Sequence, residues 1–112
     1  MRFLFLIHGD SEAEAALTPD ERRTIVAEHM AYAATLRERG AYVLGEALTG
    51  DAATVRPGNE PSVTDGPFAE TKEAVGGFYV VDCAGRDDAL DLAARVPQSP
   101  GVGVEVLTIA EM

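Results

Sequence analysis

The first extended segment of the chain is apolar on both sides. In residues 2–7, Phe3, Phe5 and Ile7 point one way and Leu4 and Leu6 the other. This predicts a central strand that needs cover on both faces, ended by His8-Gly9-Asp10. The acidic, Ala-rich stretch that follows to Leu17 reads as a loop. Thr18-Pro19-Asp20-Glu21 then starts a helix: Thr18 caps, Pro19 takes the first helical position and Glu21 completes a capping box. The helix should run to Arg39 and stop at Gly40. At roughly 100° per residue, Ile25, His29, Tyr32 and Leu36 fall within about 60° of one another, so one stripe faces the core with an imidazole in its middle.

A second strand is expected over residues 41–48. Residues 49–64, with Gly50, Pro57-Gly58 and Pro61, read as a loop or a small hairpin pairing 53–56 with 62–64. Asp65-Gly66-Pro67-Phe68 makes a tight turn before a charged stretch at 70–73. Gly76-Gly77 lead into a third core strand over 78–83. A short helix over 87–96 carries Ala89, Leu92, Ala93 and Val96 on one face, and residues 101–109 form the fourth main strand.

The order β-α-β-(loop or hairpin)-β-α-β in 112 residues without repeat or linker predicts one domain, residues 1–112. The fold class is α+β: a ferredoxin-like βαββαβ sandwich with an antiparallel four-stranded sheet and both helices on one face. The other sheet face is then bare. The first and third strands are apolar on both sides, and a bare apolar face is unusual on a monomer, so a homodimer is expected to cover it.

Charge narrows the partners. Nine Lys and Arg stand against nineteen Asp and Glu, a formal charge of -10. That field repels phosphate backbones and anionic lipid heads, so neither nucleic acid nor membrane is an expected partner. The N-terminal apolar run is too short for a signal sequence or a span, which points to the cytoplasm. The single cysteine, Cys83, reads as a small buried hydrophobe at a strand end. His8 reads as a strand-end residue. Two histidines and scattered carboxylates make no metal motif, and no Gly-rich loop joins a strand to a helix, so neither metal nor cofactor is expected.

The most distinctive stretch is Asp65-Gly66-Pro67-Phe68-Ala69-Glu70-Thr71-Lys72-Glu73, followed by Gly76-Gly77-Phe78-Tyr79. It resembles the signature of the YCII-related family, in the subgroup named for the tetrapeptide DGPF. The likeness extends over the whole chain, including Gly45-Glu46 on the second strand and Val104-Glu105-Val106 on the last. It implies a dimeric α+β barrel built from ferredoxin-like subunits. It also implies an activity unassigned for most members, with some relatives resembling small-molecule enzymes that use a His/Asp pair. Subgroup members often accompany extracytoplasmic-function sigma factors, which implies a functional link to such a factor.

Two residues are the candidate acid–base pair. His29 sits on the apolar stripe, where a nearby carboxylate tunes imidazole across neutral pH, and His29-Met30-Ala31-Tyr32 resembles the early-helix His-x-x-Tyr of YCII relatives. Asp65 either builds the turn alone or is presented by it as acid, base or orienter of the histidine. Glu46, Phe68, Thr71, Lys72 and Tyr79 are candidate ligand contacts; Lys72 would hold an anionic group and Thr71 would donate a hydrogen bond. Glu46 reads equally as a solvated edge charge, and Thr71 and Lys72 as a solvated loop. Three readings compete: a small-molecule-binding or regulatory module, a cofactor-independent lyase or isomerase using His29 and Asp65, and a structural dimer.

Overall fold

The computed structural model describes residues 1–68, 73–101 and 103–112. The elements are β1 (Arg2–Asp10), α1 (Ser11–Ala15), α2 (Pro19–Glu38), β2 (Tyr42–Ala47), β3 (Ala53–Arg56), β4 (Ser62–Asp65), β5 (Glu73–Asp82), α3 (Arg86–Ala93) and β6 (Gly103–Thr108). β2, β5, β1 and β6 form one antiparallel sheet in that order, and β3 and β4 pair as a separate hairpin. The chain is thus an α+β protein with a four-stranded antiparallel sheet, and the 49–64 segment takes the hairpin alternative.

Local chemistry accounts for where the helices begin and end. The Thr18 hydroxyl accepts from the Glu21 N–H while the Glu21 carboxylate accepts from the Thr18 N–H, and Gly40, at φ 70°, provides the left-handed exit from α2. Thr18→Ala should therefore cost about 1 kcal/mol of stability, read by chemical denaturation. The Ala-rich stretch expected as a loop is instead the short helix α1. Its start is fixed by Asp10, whose carboxylate accepts from the Glu12 and Ala13 N–H groups. α3 ends earlier than expected because Arg95 and Val96 close on Leu92 and Ala93 in tighter i→i−3 bonds.

The core lies on one face of the sheet. Phe3, Phe5 and Ile7 of β1 are buried there with Tyr79 and Val81 of β5, under Tyr32 and Leu36 of α2 and Ala89, Leu92 and Ala93 of α3. The Tyr32 hydroxyl donates to the Leu92 carbonyl at 2.6 Å, tying the two helices together over that face. Burial pushes the Tyr32 phenol well above its ordinary pKa, so it stays a donor.

The opposite face carries the other strand parity. The pairing register sets Leu44, Val80, Leu4 and Leu107 in one row across the sheet, and Glu46, Phe78, Leu6 and Glu105 in the next. The first row is apolar from edge to edge. The second is apolar at its centre with a carboxylate at each end. His8, one step further along β1, pairs its Nε2 with Glu105 Oε1 at 2.9 Å. None of the described helices contributes to the core from this side.

Candidate functional site

A cavity of about 470 Å³ opens between α2 and the β2–β5 edge of the sheet, on the core face. Its helical wall is the i, i+4 row Ile25, His29, Ala33 and Arg37, with Val26 and Met30 beside it. The opposite wall is Tyr42 and Gly45 to Leu48 of β2 and the following turn, and Gly76 to Tyr79 of β5. Glu14 of α1 and Ser99 border one end. Because α2 and β2 run antiparallel, Glu14 lies near the Ile25 end and Tyr42 near the Arg37 end.

At the centre, His29 Nδ1 and the Tyr79 hydroxyl are 2.8 Å apart. Their rings are near-parallel, with centroids 5.9 Å apart and planes 16° from one another. Tyr32 meets the Tyr79 ring edge-on at 5.2 Å, which fixes the phenol from below. Desolvation lowers the pKa of His29, opposed by the nearby Glu28 carboxylate. Desolvation raises that of Tyr79, aided by Tyr42. Both shifts favour neutral forms, so the pair at neutral pH is an uncharged imidazole beside an uncharged phenol. One tautomer accepts the phenol proton at Nδ1; the other donates from Nδ1 to the phenol oxygen.

Glycines make this packing fit. A Cβ built on Gly45 would stand 2.5 Å from Cδ1 of Tyr79, so β2 can lie against the ring only without a side chain there. Gly9 does the same for Glu14: the Glu14 carboxylate occupies the space a Gly9 side chain would fill.

The sequence-predicted residues separate into groups. His29 and Tyr79 are joined directly. Glu46 borders the cavity along its backbone, because strand alternation turns its carboxylate to the open face beside Leu44 and opposite Phe78. Asp65 ends β4 and Phe68 follows it on the hairpin; both are exposed and neither lines the cavity. The Phe68 ring instead receives the Arg56 guanidinium at 5.2 Å. Thr71 and Lys72 lie outside the described residues. The hydrogen-bond partner of His29 is therefore Tyr79, not the signature turn. Cys83 is half-buried just past β5, with burial pushing its thiol pKa up, which makes it a poor nucleophile.

Sequence reasoning missed Arg37, Tyr42, Gly45, Glu14 and Ser99. For Arg37 a signal existed. The core stripe steps from His29 to Tyr32 and Leu36, but the i, i+4 row steps to Ala33 and Arg37, and that row faces the cavity. Among the described residues, no group of three or more His, Cys, Asp and Glu could hold a metal ion, and no helix is long and apolar enough to cross a membrane.

Comparison with known proteins places this architecture. A model of the YCII-related domain matches residues 1–112, the whole chain. The chain belongs to the YCII-related family. An uncharacterised protein of Rhizobium meliloti (strain 1021) is 38% identical over 96 residues, covering 83% of this chain and 77% of that relative. The membership agrees with the Gly-Gly-Phe-Tyr segment, whose Tyr79 closes on His29, and it leaves the chemistry of the cavity to be argued from its own residues.

Proposed function

We propose that this YCII-related protein is a dimeric small-molecule-binding module whose ligand lodges between α2 and the β2–β5 edge. The observation that carries the reading is the apolar cavity with the His29–Tyr79 hydrogen bond at its centre. Such a space, mostly apolar with a few convergent polar groups, is the usual form of a small-molecule site. The apolar open face, with Leu4, Leu6, Phe78 and Val80 at its middle, supports a homodimer of the dimeric α+β barrel type. The order β2-β5-β1-β6, with the β3–β4 hairpin counted as an insertion, supports a ferredoxin-like subunit. A cytoplasmic regulatory role beside an extracytoplasmic-function sigma factor fits the DGPF-type signature. The charge of -10 argues against nucleic acid as partner.

A second reading is favoured by the same hydrogen bond: a cofactor-independent enzyme, lyase- or isomerase-like, in which His29 moves a proton. Burial keeps His29 in its base form near neutrality, as a general base requires. In this reading Asp65 and Phe68 would act from the hairpin of a neighbouring copy.

Amide shift mapping with a library of small neutral fragments tests the binding reading. Shifts gathered at His29, Gly45 and Gly77 are the expected result, and shifts only at the hairpin would sink it. Deuterium exchange of bound fragments then separates module from enzyme. An enzyme would exchange an activated C–H, and His29→Gln would slow this by roughly 10²–10⁴. A module would show no exchange in either protein.

The pH dependence of stability gives a third prediction. The folded pKa of His29 lies below its ordinary 6.5. Below 6.5 the unfolded chain therefore takes a proton that the folded chain resists. Stability is full above that value, falls as pH drops through it, and stops falling below the folded pKa. His29→Gln should flatten that segment of a denaturation-against-pH curve, and Tyr79→Phe should move the titration of His29 seen by nuclear magnetic resonance.

A further inference from the structure

The two ends of the cavity differ in charge. Arg37 stands at one end with its guanidinium 4.2 Å above the centre of the Tyr42 ring. Among the described residues no carboxylate pairs with it. Most arginines of the chain also lack such a pair, but among the described residues lining the cavity Arg37 is the one arginine or lysine. The aromatic ring holds the planar fork in place without satisfying its donors, which leaves them available to a second, anionic partner. At the other end the Glu14 carboxylate rests over Gly9 and near Gly76. His29 lies between them, eight residues before Arg37, or about 12 Å along the helix axis.

We infer that the cavity selects an organic monocarboxylate. Its carboxylate pairs with the Arg37 guanidinium, its apolar body lies along Ala33 and Met30, and its far, uncharged end reaches the His29–Tyr79 pair. Arg37 supplies two parallel N–H donors to the two carboxylate oxygens, the strong charge-assisted form of this bond. Glu14 makes the far end hostile to a second anion, so a dicarboxylate is rejected by like-charge repulsion. An amine is disfavoured at the Arg37 end for the same reason. The inference rests on the cavity being the binding site, and it adds the ligand class.

The test is calorimetric titration of the full chain with phenylbutanoate, phenylbutanol and phenylbutylamine, which share one body and differ in head group. Carboxyphenylbutanoate, with a second carboxylate at the far end, is the fourth probe. Phenylbutanoate should bind at least about tenfold more tightly than the alcohol or the amine. Arg37→Gln should bring the acid down to the alcohol and leave the alcohol unchanged. The dicarboxylate should bind more weakly than phenylbutanoate and recover in Glu14→Gln, which keeps the shape of the residue against Gly9. Equal or tighter binding of the amine or alcohol, or an acid affinity indifferent to Arg37→Gln, overturns the ligand class while the cavity reading stands. Failure of every probe to bind overturns both.

Discussion

Gly45→Val is expected to abolish binding in the cavity while leaving the sheet assembled. The Cβ of any residue at 45 would fall 2.5 Å from Cδ1 and 2.8 Å from Cε1 of Tyr79. The ring cannot retreat, because Tyr32 packs edge-on against it and β5 holds its backbone between β2 and β1. It must rotate into the cavity or push β2 outward. Rotation breaks the His29 hydrogen bond and fills the cavity, and displacement of β2 removes the wall against which a ligand packs. Overpacking of this kind costs about 1–3 kcal/mol. Thermal denaturation should show the loss, and the NMR titration of His29 should revert toward that of an imidazole without its phenol partner. Gly103→Ala is the control: a methyl there meets open space, and the β6 position lies away from the site. Combining Gly45→Val with Tyr79→Ala should recover part of the stability but none of the histidine's titration behaviour. That outcome assigns the cost to the one contact. A Gly45→Val protein that binds the probes as tightly as the parent would place the ligand elsewhere.

The architecture was readable because it is written in short-range patterns. The capping box at Thr18, the glycine exit at Gly40 and the two-sided apolar run of β1 each specify local structure with little help from distant contacts. β1 outran its expected end at His8-Gly9-Asp10 because its continuation depends on partners. A bulge opposite Ile7 and His8 lets β5 pair on as far as Glu73. The site was harder. His29 was visible as a polar residue on an apolar stripe, but its partner lies fifty residues away on β5. Nothing in the spacing ties position 29 to 79 rather than to 65. Once β5 is known to lie beside β2, Tyr79 is brought to the helix face with Phe5 and Gly45, and Glu46 is turned away from it. Both consequences come from pairing register, which a single sequence does not contain. The motif Asp65-Gly66-Pro67-Phe68 drew attention through its unusual composition. In the structure it ends the hairpin with Gly66 at φ 106°, a conformation that glycine alone adopts readily. Its residue types are those a turn demands.

Leu6→Asp should convert the proposed dimer into a monomer with an intact fold. Leu6 sits at the middle of the open face, flanked by Phe78 on β5 and Glu105 on β6. The side chain is absent from the core on the helix side, so a carboxylate at this position leaves that packing untouched. In the dimer the same carboxylate would be removed from water on both subunits, next to apolar neighbours and beside Glu105. Desolvating an unpaired charge costs several kcal/mol, and two-fold symmetry imposes that cost twice. Light scattering at micromolar concentration should read twice the 11.8 kDa chain mass for the parent and the single chain mass for Leu6→Asp. Circular dichroism should be unchanged between them. A variant that stays dimeric would move the interface away from this face. The hairpin would then be the next surface to test, since Val55 and Val63 are exposed on it at 56% and 68%. A parent that runs as a monomer would remove the dimer from the proposal. It would leave Leu44, Val80, Leu4 and Leu107 as an apolar row facing water, a surface that favours association with some other apolar partner.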